Sequence, residues 1–225
     1  MIHKGKKGFV LGLILLAAFI LFTVLIMTVD VQPTGQNGTD IGFSTINHWF
    51  HNLTGDNLLL YTITDWLGLV PIVICMCFGV LGLVQLNKRR SLLKVDIDII
   101  LLGVYYIIVI IGYLVFEMIP INYRPIPING YMEASYPSST TLLVLSVMPT
   151  LWFQIVRRAH KTIIKKITII FVITFSAFMV IGRLIAGVHW LTDIIGSILL
   201  SAGLYLLYRS SVILIDSKKR EEKTT

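Results

Sequence analysis

The sequence predicts an all-α integral membrane protein, a bundle of six transmembrane helices with both termini in the cytoplasm. Composition is the first reason, because only 14% of the 225 residues are charged and 56% are hydrophobic, whereas an ordinary soluble domain has about 25% charged residues. The second reason is that the apolar residues fall into six long runs separated by polar segments. A chain of this length has room for one compact membrane domain and no sizeable soluble one.

Each of the six runs is close to the ~20 residues that a helix needs to cross ~30 Å of hydrocarbon. Because the fourth run is short, we expect its start to be buried among the other helices, and the second is long enough to tilt. The longer connections, 30–57 and 120–140, are rich in Gly, Pro, Asn, Ser and Thr and predict loops. The predicted spans are 9–29, 58–86, 97–119, 141–156, 167–186 and 189–209.

These spans divide the chain into three parts. Residues 1–57 form a first transmembrane helix and an outer loop, and residues 58–209 form the core. Residues 210–225 form a charged cytoplasmic tail, which we expect to be frayed from Asp216 onward.

The lysines and arginines predict the orientation. Of these 19 residues, 17 lie before the first span, between spans two and three, between spans four and five, or after span six. The positive-inside rule makes that side cytoplasmic. The net charge of +7 therefore belongs to short loops beside a cell membrane, and we expect membrane lipids rather than nucleic acid as partners.

Arg124 and Arg183 are the two exceptions, since both are predicted at the outer face. A single outer arginine often caps a helix or extends towards lipid head groups. Two such exceptions, each beside other polar residues, instead favour an anion site.

Three polar patches of the second half, 123–125, 136–140 and 182–193, are predicted at the same outer depth. His189 and Asp193 are four residues apart on the predicted last span, so the carboxylate can bind one imidazole nitrogen and leave the other as a nucleophile or base. The planar guanidinium group of arginine and the free N–H groups at a helix N-terminus both suit phosphate oxygens. This combination predicts phosphoryl transfer through a phospho-histidine. The alternative is a His–Asp pair that only tethers helices.

These patches resemble the three motifs of the type 2 phosphatidic acid phosphatases, the PAP2/haloperoxidase superfamily. Gly182-Arg183, His189 and Asp193 have the spacing of the third motif, Ser-Arg-x5-His-x3-Asp. Arg124-Pro125 is similar to the end of the first motif, Lys-x6-Arg-Pro, and Pro137-Ser138 to the start of the second, Pro-Ser-Gly-His. The third motif is the specific one, and the resemblance covers roughly residues 60–209.

The resemblance implies a role for each matching residue. His189 would be the nucleophile and Asp193 would orient it, while Arg124 and Arg183 would bind phosphate oxygens. Ser138, Ser139 and Thr140, with nearby backbone amides, would hold the phosphate as well. The family consists mainly of phosphatases that need no metal or other cofactor. We therefore expect a membrane phosphatase that hydrolyses a lipid phosphate or isoprenoid pyrophosphate at the outer leaflet.

The chain departs from the family pattern in the first and second motifs. Glu117 stands where the first motif has Lys. Ser139 and Thr140 replace the Gly and the His of the second motif, and Gly182 replaces the usual Ser of the third. The missing His protonates the leaving group in the family, and loss of a general acid typically costs about 10²–10⁴ in rate.

Two functions remain open on these grounds. The first is the phosphatase, with the proton supplied by another group such as Glu133, His48 or His51. The second is a catalytically impaired lipid-phosphate binder or transporter on the same scaffold. A channel or ion-coupled transporter is less well supported, since the spans lack several central ionisable residues. The sequence predicts no oligomeric state.

Overall fold

The computed structural model describes residues 2–128 and 130–222, and the described chain is all-helical with no strand. Short 3-10 turns at Gln36–Gly38 and Leu92–Lys94 are the remaining regular segments of that part. The eight α-helices are α1 Ile2–Thr28, α2 Ser44–Thr54, α3 Leu58–Leu67, α4 Leu69–Arg89, α5 Ile97–Met118, α6 Ser139–Arg158, α7 Thr162–Ile185 and α8 Leu191–Glu221.

Six helical segments of the described chain are long and apolar enough to cross a membrane, with α3 and α4 counted together. This confirms the predicted six-span bundle. The fourth span is the most buried, with half of its apolar window inside the protein, in agreement with the expectation that its start lies among other helices.

Helix ends differ from the predicted span ends. The helix α1 begins at Ile2 rather than at residue 9, and α8 continues to Glu221. The expectation that the tail frays from Asp216 is therefore wrong as far as Glu221. Hydropathy marks where apolar residues stop, whereas Lys, Arg and Glu are good helix formers and carry the helix beyond that point.

The second span is broken between α3 and α4 at Gly68. Pro71 lies at the start of α4, where its ring has no N–H and conflicts with the carbonyl four residues earlier. Just before this point, the Gly68 N–H donates to the carbonyl oxygens of Thr64 and Asp65, each at 3.0 Å, where α3 ends. The break positions these two side chains beside the end of α7.

The connection at 30–57 is not all loop, because it contains α2. This helix lies against the start of α8, where Asn47 donates its side-chain N–H to the Thr192 hydroxyl at 3.0 Å. Its polar and apolar residues lie on different faces of the helix, as expected for a segment at a membrane interface.

The helices α1 and α8 pack antiparallel along most of their lengths. Small residues permit this close approach, since a Cβ atom at Gly12 would lie 3.0 Å from the backbone oxygen of Gly203. At the other end of the pair, a Cβ atom at Gly5 would lie 2.8 Å from the side chain of Leu214. The start of α1 and the end of α8 therefore lie at the same end of the bundle.

That end of the bundle is held by a buried carboxylate. Asp98, only 4% exposed, accepts from Arg157 Nε at 3.0 Å and from Arg158 Nη1 at 2.8 Å. Its backbone oxygen accepts from the Tyr208 hydroxyl at 3.3 Å. These contacts join α5, α6 and α8.

At the opposite end, the loop between α5 and α6 folds into the bundle. Tyr136 is 1% exposed, and its hydroxyl lies 2.8 Å from Thr23 Oγ1 on α1. Its ring packs against Phe19 and Phe116. This anchor fixes the loop residues on either side of Tyr136 above the start of α8.

Candidate active site

Three side chains form a buried cluster at the junction of the α5–α6 loop and the start of α8. His189 Nδ1 lies 3.1 Å from the backbone oxygen of Ser135, 3.3 Å from Ser135 Oγ and 3.6 Å from Asp193 Oδ2. Ser135 Oγ donates a short hydrogen bond to Asp193 Oδ2. Ser135 therefore connects the histidine with the aspartate.

The hydrogen bonds favour one tautomer of His189. A carbonyl oxygen can only accept, so Nδ1 carries the proton that it donates to Ser135, and Nε2 keeps a free lone pair. Burial lowers the pKa of His189 well below its ordinary range, and the positive charges of Arg124 and Arg183 lower it further. The ring is therefore neutral near pH 7, the form in which Nε2 can attack phosphorus.

The predicted same-face pairing of His189 and Asp193 on one helix is wrong in its detail. His189 precedes α8, which begins at Leu191. Asp193 lies in the first turn, where its Oδ2 accepts from the backbone N–H of Trp190 at 2.7 Å, as a capping carboxylate does. The two side chains still lie close together because this cap folds the residues before the helix back over its first turn.

Arg124 and Arg183 converge on Tyr61 of α3. The guanidinium carbon of Arg183 lies 4.8 Å from the centre of the Tyr61 ring, and that of Arg124 lies 5.9 Å from it. The two cations thus share one aromatic ring, an arrangement in which the ring's negative face offsets part of their mutual repulsion. The prediction that these two residues meet at one end of the bundle is confirmed.

Each arginine also has an acidic neighbour. Arg124 Nη2 lies 2.9 Å from Glu133 Oε2, and Arg183 Nη1 lies 3.7 Å from Asp65 Oδ1. Arg183 Nη1 in addition donates to Thr64 Oγ1 at 3.4 Å.

Several buried polar atoms of this region have no hydrogen-bond partner among the described residues. A buried donor left unpaired costs about 1–3 kcal/mol, and more when it is charged. Such donors, grouped around a neutral imidazole, suit an anion with several oxygens. The donors concerned are Arg124 Nε, Arg124 Nη1 and Arg183 Nε. His189 Nε2 and Asp193 Oδ1 are also unpaired, but both are acceptors.

Ser138 is completely buried where α6 begins. Its N–H donates to the backbone oxygen of Asp193 at 3.2 Å, and its carbonyl accepts from Ser197 Oγ at 2.9 Å. Its hydroxyl donates to Thr141 Oγ1 at 3.1 Å. Ser138 thus ties the start of α6 to α8, and its hydroxyl is already engaged within the protein.

Ser139 and Thr140 line a crevice of about 330 Å³ between α4, α5 and α6. The crevice walls are mainly apolar, and Asp65 lies at the same crevice. The two second-motif residues are thus placed beside the acidic neighbour of Arg183.

The other acidic and imidazole candidates occupy different surroundings. Glu117, at the position of the first-motif Lys, is exposed at the end of α5. Glu133 is paired with Arg124 rather than free in solvent. His48 Nε2 lies 2.8 Å from Thr34 Oγ1, and the rings of both His48 and His51 pack edge-on against Trp190.

A family model, described as the PAP2 superfamily, matches residues 95–213. The chain belongs to the PAP2 superfamily. The matched segment contains all three motif regions, so this membership confirms the resemblance drawn from Arg124-Pro125, Pro137-Ser138 and the Arg183–Asp193 spacing. A comparison with curated protein sequences finds no match.

This PAP2 protein also shares its fold with a solved structure, the first transmembrane PAP2-type phosphatidylglycerolphosphate phosphatase from Bacillus subtilis. The TM-score is 0.65, with 17% sequence identity over 92% of this chain and 96% of that one. At this identity the likeness concerns the fold. Together with the six apolar helices, it shows that this PAP2 protein is a multi-pass membrane protein with a lipid-phosphatase fold.

Sequence reasoning missed Ser135 and Tyr61. Ser135 lies in a loop and belongs to none of the three motif patterns, although it is only two residues before Pro137. Tyr61 belongs to an apolar run more than 60 residues before Arg124. Asp65 lies in the same apolar run as Tyr61, and it contacts Arg183 of α7.

Proposed function

We propose that this PAP2 protein is a membrane phosphatase that hydrolyses a lipid phosphate or an isoprenoid pyrophosphate through a phospho-histidine. His189 Nε2 attacks phosphorus, the bond to the leaving oxygen breaks, and water then cleaves the phosphorus–nitrogen bond to release phosphate. The observation that carries the proposal is the buried His189, whose Nδ1 is bonded to the backbone oxygen of Ser135 and whose Nε2 is unpaired.

The roles of the surrounding residues follow from their contacts. Arg124 and Arg183 have unpaired N–H groups for the phosphate oxygens, whose charge grows in the transition state. Ser135 and Asp193 hold the Nδ1 side of the ring, so that Nε2 keeps one direction. Ser139, Thr140 and the amides at the start of α6 complete the proposed phosphate cradle.

Substrate class and orientation are part of the same proposal. The neighbour that shares this fold is named a phosphatidylglycerolphosphate phosphatase, and this supports a lipid phosphate as substrate. The distribution of basic residues supports an outward-facing site, cytoplasmic termini and a place in the cell membrane. We propose that the reaction needs no metal ion, in line with the motif resemblance.

The experiment is phosphate release by purified protein in detergent from a panel of lipid phosphates and pyrophosphates, with and without a chelator. We expect release by the parent chain, unaffected by the chelator, and a loss of at least about 1000-fold in His189→Ala, since removal of a nucleophile costs orders of magnitude. His160→Ala is the matched control, because His160 is an exposed histidine just before α7. Release that persists in His189→Ala would remove the histidine from the mechanism.

A lipid-phosphate binder or transporter is the second candidate, and Thr140 is the observation that favours it. Threonine at this position cannot donate a proton as the family histidine does. The binder predicts that labelled lipid phosphate is retained by both the parent chain and His189→Ala, with no phosphate released by either. Loss of retention in Arg183→Gln would show that binding uses the same site.

A further inference from the structure

Breaking the bond to an alkyl leaving group requires a proton for the departing oxygen. In the motif that this chain resembles, a histidine supplies that proton, and Thr140 stands in its place. An aliphatic hydroxyl is too weak an acid for this task. Any acid that replaces the histidine has to lie near Thr140 and within reach of a phosphate held by Arg183.

Asp65 meets both requirements. Its carboxylate lies 3.7 Å from Arg183 Nη1, and it lines the same crevice as Ser139 and Thr140. Unlike Arg183, which is 1% exposed, the Asp65 side chain is 58% exposed. It is therefore open to solvent while remaining beside the proposed phosphate-binding cation.

The break in the second span accounts for this placement. Thr64 contacts Arg183, and a Cβ atom at Gly68 would lie 3.6 Å from Thr140 Cγ2. The last turn of α3 therefore lies between the end of α7 and the start of α6. Asp65 is the residue of this turn that can carry a labile proton.

Other titratable side chains near the arginines are less suited to the task. Glu133 is in a close ion pair with Arg124 at 2.9 Å, and it does not line the crevice that Asp65 shares with Ser139 and Thr140. The ring of Tyr61 is in contact with the guanidinium groups of both Arg124 and Arg183. His48 is bonded to Thr34 and packs on Trp190.

We propose that Asp65 is the general acid–base of this site and takes the place of the family histidine. The proposal rests on the phosphatase function proposed above. As His189 Nε2 attacks phosphorus and the bond to the leaving oxygen breaks, the Asp65 carboxyl gives its proton to that oxygen and an alcohol departs. Its carboxylate then takes a proton from the water that attacks the phosphorus–nitrogen bond, which releases phosphate and restores both side chains.

The bound substrate adds a second anion beside Asp65. A carboxylate beside a phosphate anion relieves their repulsion by sharing a proton. Arg183 remains bound to the phosphate oxygens, so its contact with Asp65 loosens as the substrate takes over the guanidinium.

The test compares two substrates that share one lipid tail and differ in leaving group, phosphatidic acid and diacylglycerol pyrophosphate. The first expels an alkoxide and needs the proton; the second expels a phosphate ester and needs it much less. We expect Asp65→Asn to lower kcat for phosphatidic acid about 100- to 1000-fold and kcat for the pyrophosphate less than about 10-fold. Asp40→Asn, the same change at an exposed loop position, should leave both rates at the parent level.

Equal losses on the two substrates would overturn the proposal, because they would show that Asp65 acts only through the position or charge of Arg183. Unchanged rates on both would overturn it as well. If the parent chain hydrolyses only one substrate, the same comparison uses alkyl and aryl esters of the phosphate that it accepts. Failure of the phosphatase function itself is distinguishable, since then no release would depend on His189.

Discussion

Replacement of Ser135 by alanine tests the arrangement behind His189. The change removes the hydroxyl that donates to Asp193 Oδ2, while the backbone oxygen 3.1 Å from His189 Nδ1 remains. Asp193 is completely buried and then keeps only the Trp190 N–H at that oxygen. A buried polar group that loses its hydrogen-bond partner costs about 1–3 kcal/mol, so the free energy of unfolding should fall by about that amount.

The effect of Ser135→Ala on rate should be smaller than the loss of the nucleophile. Since the carbonyl of residue 135 still selects the tautomer, we expect kcat to fall about 10- to 30-fold, which corresponds to about 1.4–2 kcal/mol in the barrier. The measurement is phosphate release over a range of substrate concentrations, together with thermal unfolding in the same detergent.

Ser201→Ala is the matched control for this substitution. Ser201 is also a buried serine, but its hydroxyl donates to the carbonyl of Ile198 within α8 at 3.2 Å. It should lose some stability and keep the parent kcat. If Ser135→Ala folds and keeps the parent kcat and KM, the inferred role of Ser135 in orienting His189 is refuted.

Two further predictions concern protonation and packing. Because burial and the nearby arginines lower the pKa of His189, protonation of this ring should reduce kcat/KM only below about pH 6.5. In Arg124→Gln, one positive charge is gone, so the acidic decline should begin at a higher pH; an unshifted profile measured by phosphate release would contradict this. Gly12→Ala should lower the free energy of unfolding by about 1–3 kcal/mol because its Cβ meets a backbone oxygen at 3.0 Å. Gly103→Ala, where nothing lies within 4 Å, should be neutral or stabilising in the same thermal unfolding measurement, and equal effects of the two substitutions would argue against close packing of α1 on α8.

The sequence predicts the number of spans well because long apolar runs report directly on the solvent around a helix. It predicts helix ends less well, since the charged residues after 209 are good helix formers once α8 has begun. The α2 helix lies within a connection predicted as loop, and its position depends on contacts such as the Asn47–Thr192 hydrogen bond. Such contacts form between residues 145 positions apart and leave no local pattern.

The residues of the candidate site are likewise predictable from the sequence only in part. The spacing of Arg183, His189 and Asp193 predicts a cluster that the structure brings together. Ser135 has no comparable signal, because its contribution depends on the loop that Tyr136 anchors in the bundle. Asp65 gains its neighbour only through the break between α3 and α4, which a hydropathy pattern passes over as one continuous span.

The helix α8 is long enough to connect the two ends of the bundle, so a small tilt at one end displaces the other. Asp193 lies in its first turn, and Asp216, which binds Arg157 Nη1 at 2.7 Å, lies near its last. At 1.5 Å per residue, about 35 Å of rigid helix separates them. A tilt of only about 2° around the contact between Asp216 and Arg157 would move the other end of α8 by about 1.2 Å. Since a misplacement of about 1 Å can cost roughly 100-fold in rate, we expect the ion pair of Asp216 and Arg157 to affect the position of His189, the proposed nucleophile, without contacting it.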